Sequence, residues 1–253
     1  MPVYLNDNVL GGGQFPREEL LMWIDTGIYE SFPGTGTAWG DLSGLNNDVL
    51  LVNANTENIH QSIDFDGSSD YARVSNLNYG SSNTIEYCSV MCWMKTAATG
   101  VNYYDNWALL DFDKSENFTL YIREDDGKIG LSFDDGGGTH DLSSSTACND
   151  GEWHHVGFTF TYASSPEVTF YLDGAADGTS TTPTAAFGTG QSTRYAIIGD
   201  GSETSSYASP STNGYYFNGE IALMMFWEGA STAVLSAQEV LTLYNKDRAR
   251  FGL

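Results

Sequence analysis

Two adjacent histidines lie in Asp150-Gly151-Glu152-Trp153-His154-His155-Val156-Gly157-Phe158-Thr159-Phe160. Acid–base work at one proton would need both rings on one side, yet neighbours on an extended chain point to opposite faces. They therefore read as structural histidines. Retaining glycoside hydrolysis needs two carboxyl groups about 5 Å apart. Glu124-Asp125-Asp126-Gly127 reads as a turn, and Glu116 has no acidic neighbour two or four positions away on its own strand. No Ser or Cys occupies a nucleophile-elbow context. Cys88 and Cys92 share one face of an extended segment, too far apart along it to bridge, and with Cys148 they read as buried free thiols. Asp66 and Asp70 flank Gly67, but Asp-Gly turns bond their own backbone without a metal. What remains is recognition. Tyr103 and Tyr104 beside Trp107, and Tyr207 to Tyr216 with Tyr215 among them, put aromatic rings on loops beside amides and carboxylates. Such residues suit stacked sugars or protein contacts equally.

The elements that must carry these loops are short strands. In the segment quoted above, His154, Val156, Phe158 and Phe160 fall on one side. Val168, Phe170 and Leu172 follow with the same period, and Asp173-Gly174 supplies a turn that tolerates positive φ. The pattern predicts a hairpin with one core-facing side. Further strands are expected at Leu20–Asp25, on both sides of the Asp66-Gly67 turn, and at Cys88–Lys95, Trp107–Phe112, Phe118–Arg123, Ile129–Phe133, Tyr195–Gly199 and Ile221–Trp227. One helix is signalled near the C-terminus. Ser236 and Glu239 fit a capping box, Leu235 and Val240 a hydrophobic staple, and Val240, Leu243 and Tyr244 an apolar stripe. Residues 1–19, with Gly11-Gly12-Gly13, read as an arm, and residues 20–253 as one domain.

The chain carries 33 acidic residues against 10 basic ones, a net charge of −23, which repels phosphate backbones and anionic bilayers. Nucleic-acid and membrane partners are therefore not expected. No apolar run approaches the roughly 20 residues of a membrane span, and the first residues do not read as a signal peptide. The few cations gather at Lys246, Arg248 and Arg250.

Five segments, in order, carry a resemblance. They are Met22-Trp23-Ile24-Asp25-Thr26-Gly27 with Phe32 to Gly44; Phe65-Asp66-Gly67-Ser68-Ser69-Asp70-Tyr71; the Trp153 hairpin; Phe217-Asn218-Gly219-Glu220-Ile221-Ala222 with Leu235 to Val240; and Tyr244 to Leu253. Together they resemble the laminin-G/pentraxin type of concanavalin A-like jelly roll, as found in structural proteins of tailed marine bacteriophages. The resemblance implies an all-β, two-sheet antiparallel sandwich with one short C-terminal helix. It implies a non-enzymatic virion protein, made in the host cytoplasm and displayed on the outer particle surface. There it would decorate the capsid or form a fibre adhesin, with other virion proteins or a host glycan as partner, in multiple copies. The alternative is a calcium-dependent carbohydrate-binding module of a secreted or cell-surface protein. By the same resemblance, calcium ligands would be Glu116 and Asn117 before Phe118, and Asp200 and Glu203 after Ile198-Gly199. Gly201 and Ser202 stand where further ligands would be expected, and Ala222 where many cellular relatives carry Asp.

Overall fold

The computed structural model of the protein describes residues 17–54, 62–100, 107–163 and 165–253. Most of the expected N-terminal arm lies outside these residues, as do Tyr103 and Tyr104. The strands form two sheets in which every pairing is antiparallel.

The first sheet runs in the order β1 (Leu20–Asp25), β15 (Asn218–Glu228), β6 (Tyr87–Lys95), β11 (Trp153–Thr161), β12 (Glu167–Leu172) and β13 (Ala175–Ser180). β4 (Ile63–Asp66) also pairs with β15. The second runs β10 (Thr139–Ala147), β9 (Lys128–Asp134), β8 (Phe118–Ile122), β7 (Trp107–Asp111), β14 (Arg194–Ile198), β5 (Tyr71–Tyr79), β3 (Val49–Val52) and β2 (Ala38–Trp39). The inner faces meet in one core. Cys88, Val90, Cys92 and Met94 of β6 and Val156, Phe158 and Phe160 of β11 enter it from the first sheet, and Leu110, Phe118, Leu120 and Ile122 from the second. Phe118 meets Phe158 edge to face, and Phe160 stacks on Phe187 with centroids 3.9 Å apart. The three cysteines are free and buried.

The hairpin turns its expected side, Val156, Phe158 and Phe160 with Val168 and Phe170, into this core. The outer face of the first sheet is buried too, because the chain's C-terminal segment folds over it. Trp23, Met91, Trp93, Leu223, Met225 and Trp227 pack there against Leu235, Val240 and Leu243. The last two belong to α1 (Ala237–Asp247), whose capping box forms as expected. The Glu239 amide donates to the Ser236 hydroxyl at 3.3 Å, and the Ser236 amide donates to the Glu239 carboxylate at 2.8 Å. Beyond the helix, Phe251 stacks on Trp93 at 4.3 Å, and Arg250 donates to Asp25 and to Thr26. The basic C-terminus is thus a clasp on the domain's own first strand.

Four strands carry no clear sequence period: β2, β3, β10 and β13. Three of them, β2, β10 and β13, lie at sheet edges, and β10 and β13 carry mostly exposed or half-buried side chains. An edge strand needs no apolar alternation to pair. The Asp173-Gly174 turn, at φ +50 and +80, joins β12 to β13.

Candidate binding pocket

β8 reads Phe118-Thr119-Leu120-Tyr121-Ile122. Its apolar residues enter the core, so Thr119 and Tyr121 must face outward. Register sets Asp111, the last residue of β7, opposite Thr119, and the Thr119 hydroxyl donates to the Asp111 carboxylate. Gly130 of β9 lies beneath the Tyr121 ring, where an added Cβ would stand 2.2 Å from ring carbon. This outward polar face is nevertheless buried. The long connection from β14 to β15, residues 199–217, crosses it.

Ser202 pins that connection to the sheet. Its amide and its hydroxyl both donate to Asp111 at 2.9 Å. The connection doubles back on itself, with Asn213 N–H donating to Gly201 C=O at 2.8 Å, and Ala108 N–H holds Tyr215 C=O. Between this flap and the β7–β8 turn lies a cavity of about 130 Å³. Asp111, Thr119, Tyr121 and Ser202 form its floor. Asp113, Lys114 and Ser115 form one wall, and Glu203, Asn213 and Tyr215 the other. Lys114 Nζ lies 5.3 Å from the centre of the Tyr215 ring.

Two buried carboxylates lie under the pocket. Burial pushes Asp111 up to about 7, against the hydrogen bonds from Thr119, the Asp113 amide and Ser202 that favour its anion. Burial, followed by the charge of Asp111, pushes Asp200 up to about 7 as well. Asp200 is 0% exposed, and neither oxygen has a partner at hydrogen-bonding geometry among the described residues. The amides of Tyr215, Gly201 and Gly214 lie close enough to favour the anion without closing onto it.

The structure distributes the expected site residues unevenly. Glu203 and Tyr215 line the pocket, and Asp200 is buried beside Asp111. Glu116 accepts from Arg194 at 2.6 Å and from Ser115 at 2.6 Å. Asn117 is buried, its amide nitrogen donating to Tyr79 C=O at 3.0 Å. Trp107 is no loop residue. It opens β7 opposite Ile122 and packs partly against the core, since a large apolar side chain at a strand start gains more from burial. Tyr207 lies against Arg73, which donates to its carbonyl at 2.9 Å.

Calcium does not fit this set. It takes six to eight oxygen ligands, with carboxylates supplying the charge and carbonyls and waters completing the shell. Asp111 already accepts from four donors. Glu116 is held by a cation, Asp200 is faced by N–H groups, and Asn117 turns away. Among the described residues no three acidic, His or Cys side chains come together at one point. The Asp66-Gly67 turn also closes on itself, Asp66 accepting from the amides of Ser68 and Ser69 at 2.8 Å each.

A family model described as the concanavalin A-like lectin/glucanases superfamily, of the laminin-G type, matches residues 66–240, more than half of the chain. The chain belongs to that superfamily. The matched span includes both loops of the pocket and most of both sheets, so this laminin-G-like domain is all-β and jelly-roll in form. A search of the curated proteins gave no match. Among solved structures, the domain is similar to the binding domain of Paraclostridial Mosquitocidal Protein 1. That match has a TM-score of 0.63 at 13% identity and covers 91% of this chain and 53% of the other. It is also similar to the binding domain of Botulinum neurotoxin DC, solved in complex with rat synaptotagmin II and with SialylT. Both matches have a TM-score of 0.61 at 12% identity and cover 91% of this chain, with 52% and 51% of the others. The laminin-G-like domain thus spans about half the length of those chains, and at these identities the likeness is one of fold.

Proposed function

We propose that this laminin-G-like domain is a non-enzymatic recognition subunit of a tailed-phage particle, gripping one unit of a larger surface ligand in the pocket over β7 and β8. The observation that carries the reading is the state of the pocket's carboxylates. Hydrolysis of a glycosidic bond takes two free carboxyl groups. Asp111 is saturated by four donors, and Asp113 is held by Arg194 and Ser115, which leaves Glu203 alone. A single free carboxylate among an amide, a tyrosine and hydroxyls suits binding and not turnover. The solved domains of similar fold are binding domains, which supports the same reading.

The phage assignment rests on the five ordered motifs of the sequence. Display in many copies would convert a modest single-site affinity into avidity. Two experiments test the proposal. Wild-type protein, Asn213→Ala and Tyr215→Phe are applied to bacterial envelopes and to a glycan array. Binding is expected to fall at least tenfold for Asn213→Ala, with no release of reducing sugar by any form. Variants that bind as wild type, or measurable hydrolysis, would sink the binding-site reading. Particles assembled without the subunit should lose an external density, and unchanged particles would remove the virion role.

A further inference from the structure

The β7–β8 turn is built around one guanidinium. Asp113 sits at φ +66, a conformation that L side chains rarely adopt. Its Oδ1 accepts from the Ser115 amide at 3.0 Å and shares the single Ser115 hydroxyl proton with Glu116, and its carbonyl accepts the amides of Glu116 and Asn117. Its Oδ2 accepts from Arg194 Nε at 2.8 Å, while Arg194 Nη2 donates to Glu116 Oε1 at 2.6 Å. The Arg194 side chain is only 14% exposed, so this fork works in a partly desolvated place, where charge-assisted pairs are strongest. Without it, two carboxylates three residues apart would repel each other across a tight turn.

The same pairing fixes the electrostatics of the pocket. The wall charges cancel, Asp113 and Glu116 against Lys114 and Arg194. Tyr215 is already faced by Lys114, so a ligand cation finds that ring taken. An anion meets Glu203 and the field of a chain with net charge −23. The groups left to a ligand are the Asn213 amide, the Glu203 carboxylate, the N–H groups of Lys114 and the outer part of Tyr215. An amide and a carboxylate grip hydroxyls, and a tyrosine edge covers a C–H face. At about 130 Å³ the cavity has the room of one ring, close to the roughly 150 Å³ of a cavity that accepts benzene.

We infer that the pocket takes one residue of a neutral sugar without any divalent cation, and that Arg194 is the positioning residue whose guanidinium holds the wall in shape. The inference rests on the pocket being the binding site proposed above and adds the ligand's class. The test is a glycan array of neutral, sialylated, sulfated and amino-sugar ligands, run with EDTA and with millimolar calcium chloride. Wild type, Arg194→Gln, Arg194→Lys and Asn213→Ala are compared. Neutral glycans are expected to bind equally in both buffers. Arg194→Gln is expected to lose at least tenfold, Arg194→Lys to recover part of it, and Arg194→Gln alone to be partly restored by calcium between its freed carboxylates. If Arg194→Gln does not fold, the wild-type buffer comparison, its melting temperature in both buffers and Asn213→Ala still decide the matter. Calcium-dependent wild-type binding, capture of charged glycans only, or a calcium-induced rise in wild-type Tm would overturn the inference. Loss of envelope binding in Asn213→Ala with no glycan bound would end this inference and leave the proposed function standing. Silence on both surfaces would end both.

Discussion

Asp200 is a buried carboxylate with no closed hydrogen bond among the described residues, and its behaviour with pH follows from that. In the unfolded chain it releases its proton near 3.8, in the folded domain near 7. The folded state therefore binds more protons between those values, so this group's contribution to stability falls as pH rises from about 4 through 7. Asp200→Asn removes the penalty and keeps the shape. Its Tm is expected to match wild type near pH 4 and to exceed it at pH 8 by about 4 °C or more, at roughly 2–4 °C per kcal/mol. Parallel Tm–pH curves for the two proteins would refute this. Asp111→Asn is predicted to lower Tm instead, because both oxygens accept, Oδ2 from the Asp113 amide and from Ser202 and Oδ1 from Thr119, and the substitution replaces one of them with a nitrogen that cannot accept. At this scale the site was half legible. Glu203, Tyr215 and Asp200 stood out as acidic and aromatic loop residues. Asp111, Thr119 and Tyr121 were hidden inside apolar strands, although alternation in Phe-Thr-Leu-Tyr-Ile already marks two of them as outward-facing. Nothing local marks Arg194, whose partners lie 81 and 78 positions away.

Among the elements, the C-terminal helix and the tail beyond it do more than close the chain. They cover Trp93, Trp153 and His155, which would otherwise form an exposed aromatic face on the first sheet. Burial holds His155 neutral by lowering it to about 4, so the covered face tolerates no charge there. Phe251 stacks on Trp93 at 4.3 Å and lies tilted against Trp153 at 4.7 Å. Phe251→Ala is expected to cost about 1–2 kcal/mol, since the ring is only partly buried, and to shift tryptophan emission to the red. An unchanged spectrum and Tm would show that the tail does not seal this face. The capping box made the helix readable, because a Ser and a Glu three residues apart satisfy each other's backbone donors locally. The edge strands β10 and β13 carry no local signal, because pairing with one neighbour needs only free backbone N–H and C=O groups, which nearly every residue type has.

For the molecule as a whole, a charge of −23 on a chain of 253 residues is a self-repulsion term that the fold carries at every contact. Ionic screening relaxes it within a Debye length of about 10 Å at 0.1 M salt. Tm is therefore expected to rise with sodium chloride from low ionic strength upward. Magnesium or calcium chloride at matched ionic strength should give the same curve. A divalent-specific rise would show that the acidic surface holds a cation, away from the pocket carboxylates that Arg194, Thr119 and Ser202 already occupy.

The composition and the two-residue period of its strands determine, unaided, that this chain folds into stacked antiparallel sheets, because alternation decides locally which side chains leave water. Five short motifs determine the superfamily in the same local way. The pocket is different in kind. It exists only where a flap from residues 199–217 meets a turn some ninety positions earlier and an arginine between them cancels the charge. No local pattern encodes that meeting, since loop geometry is set by what the finished sheets bring within reach.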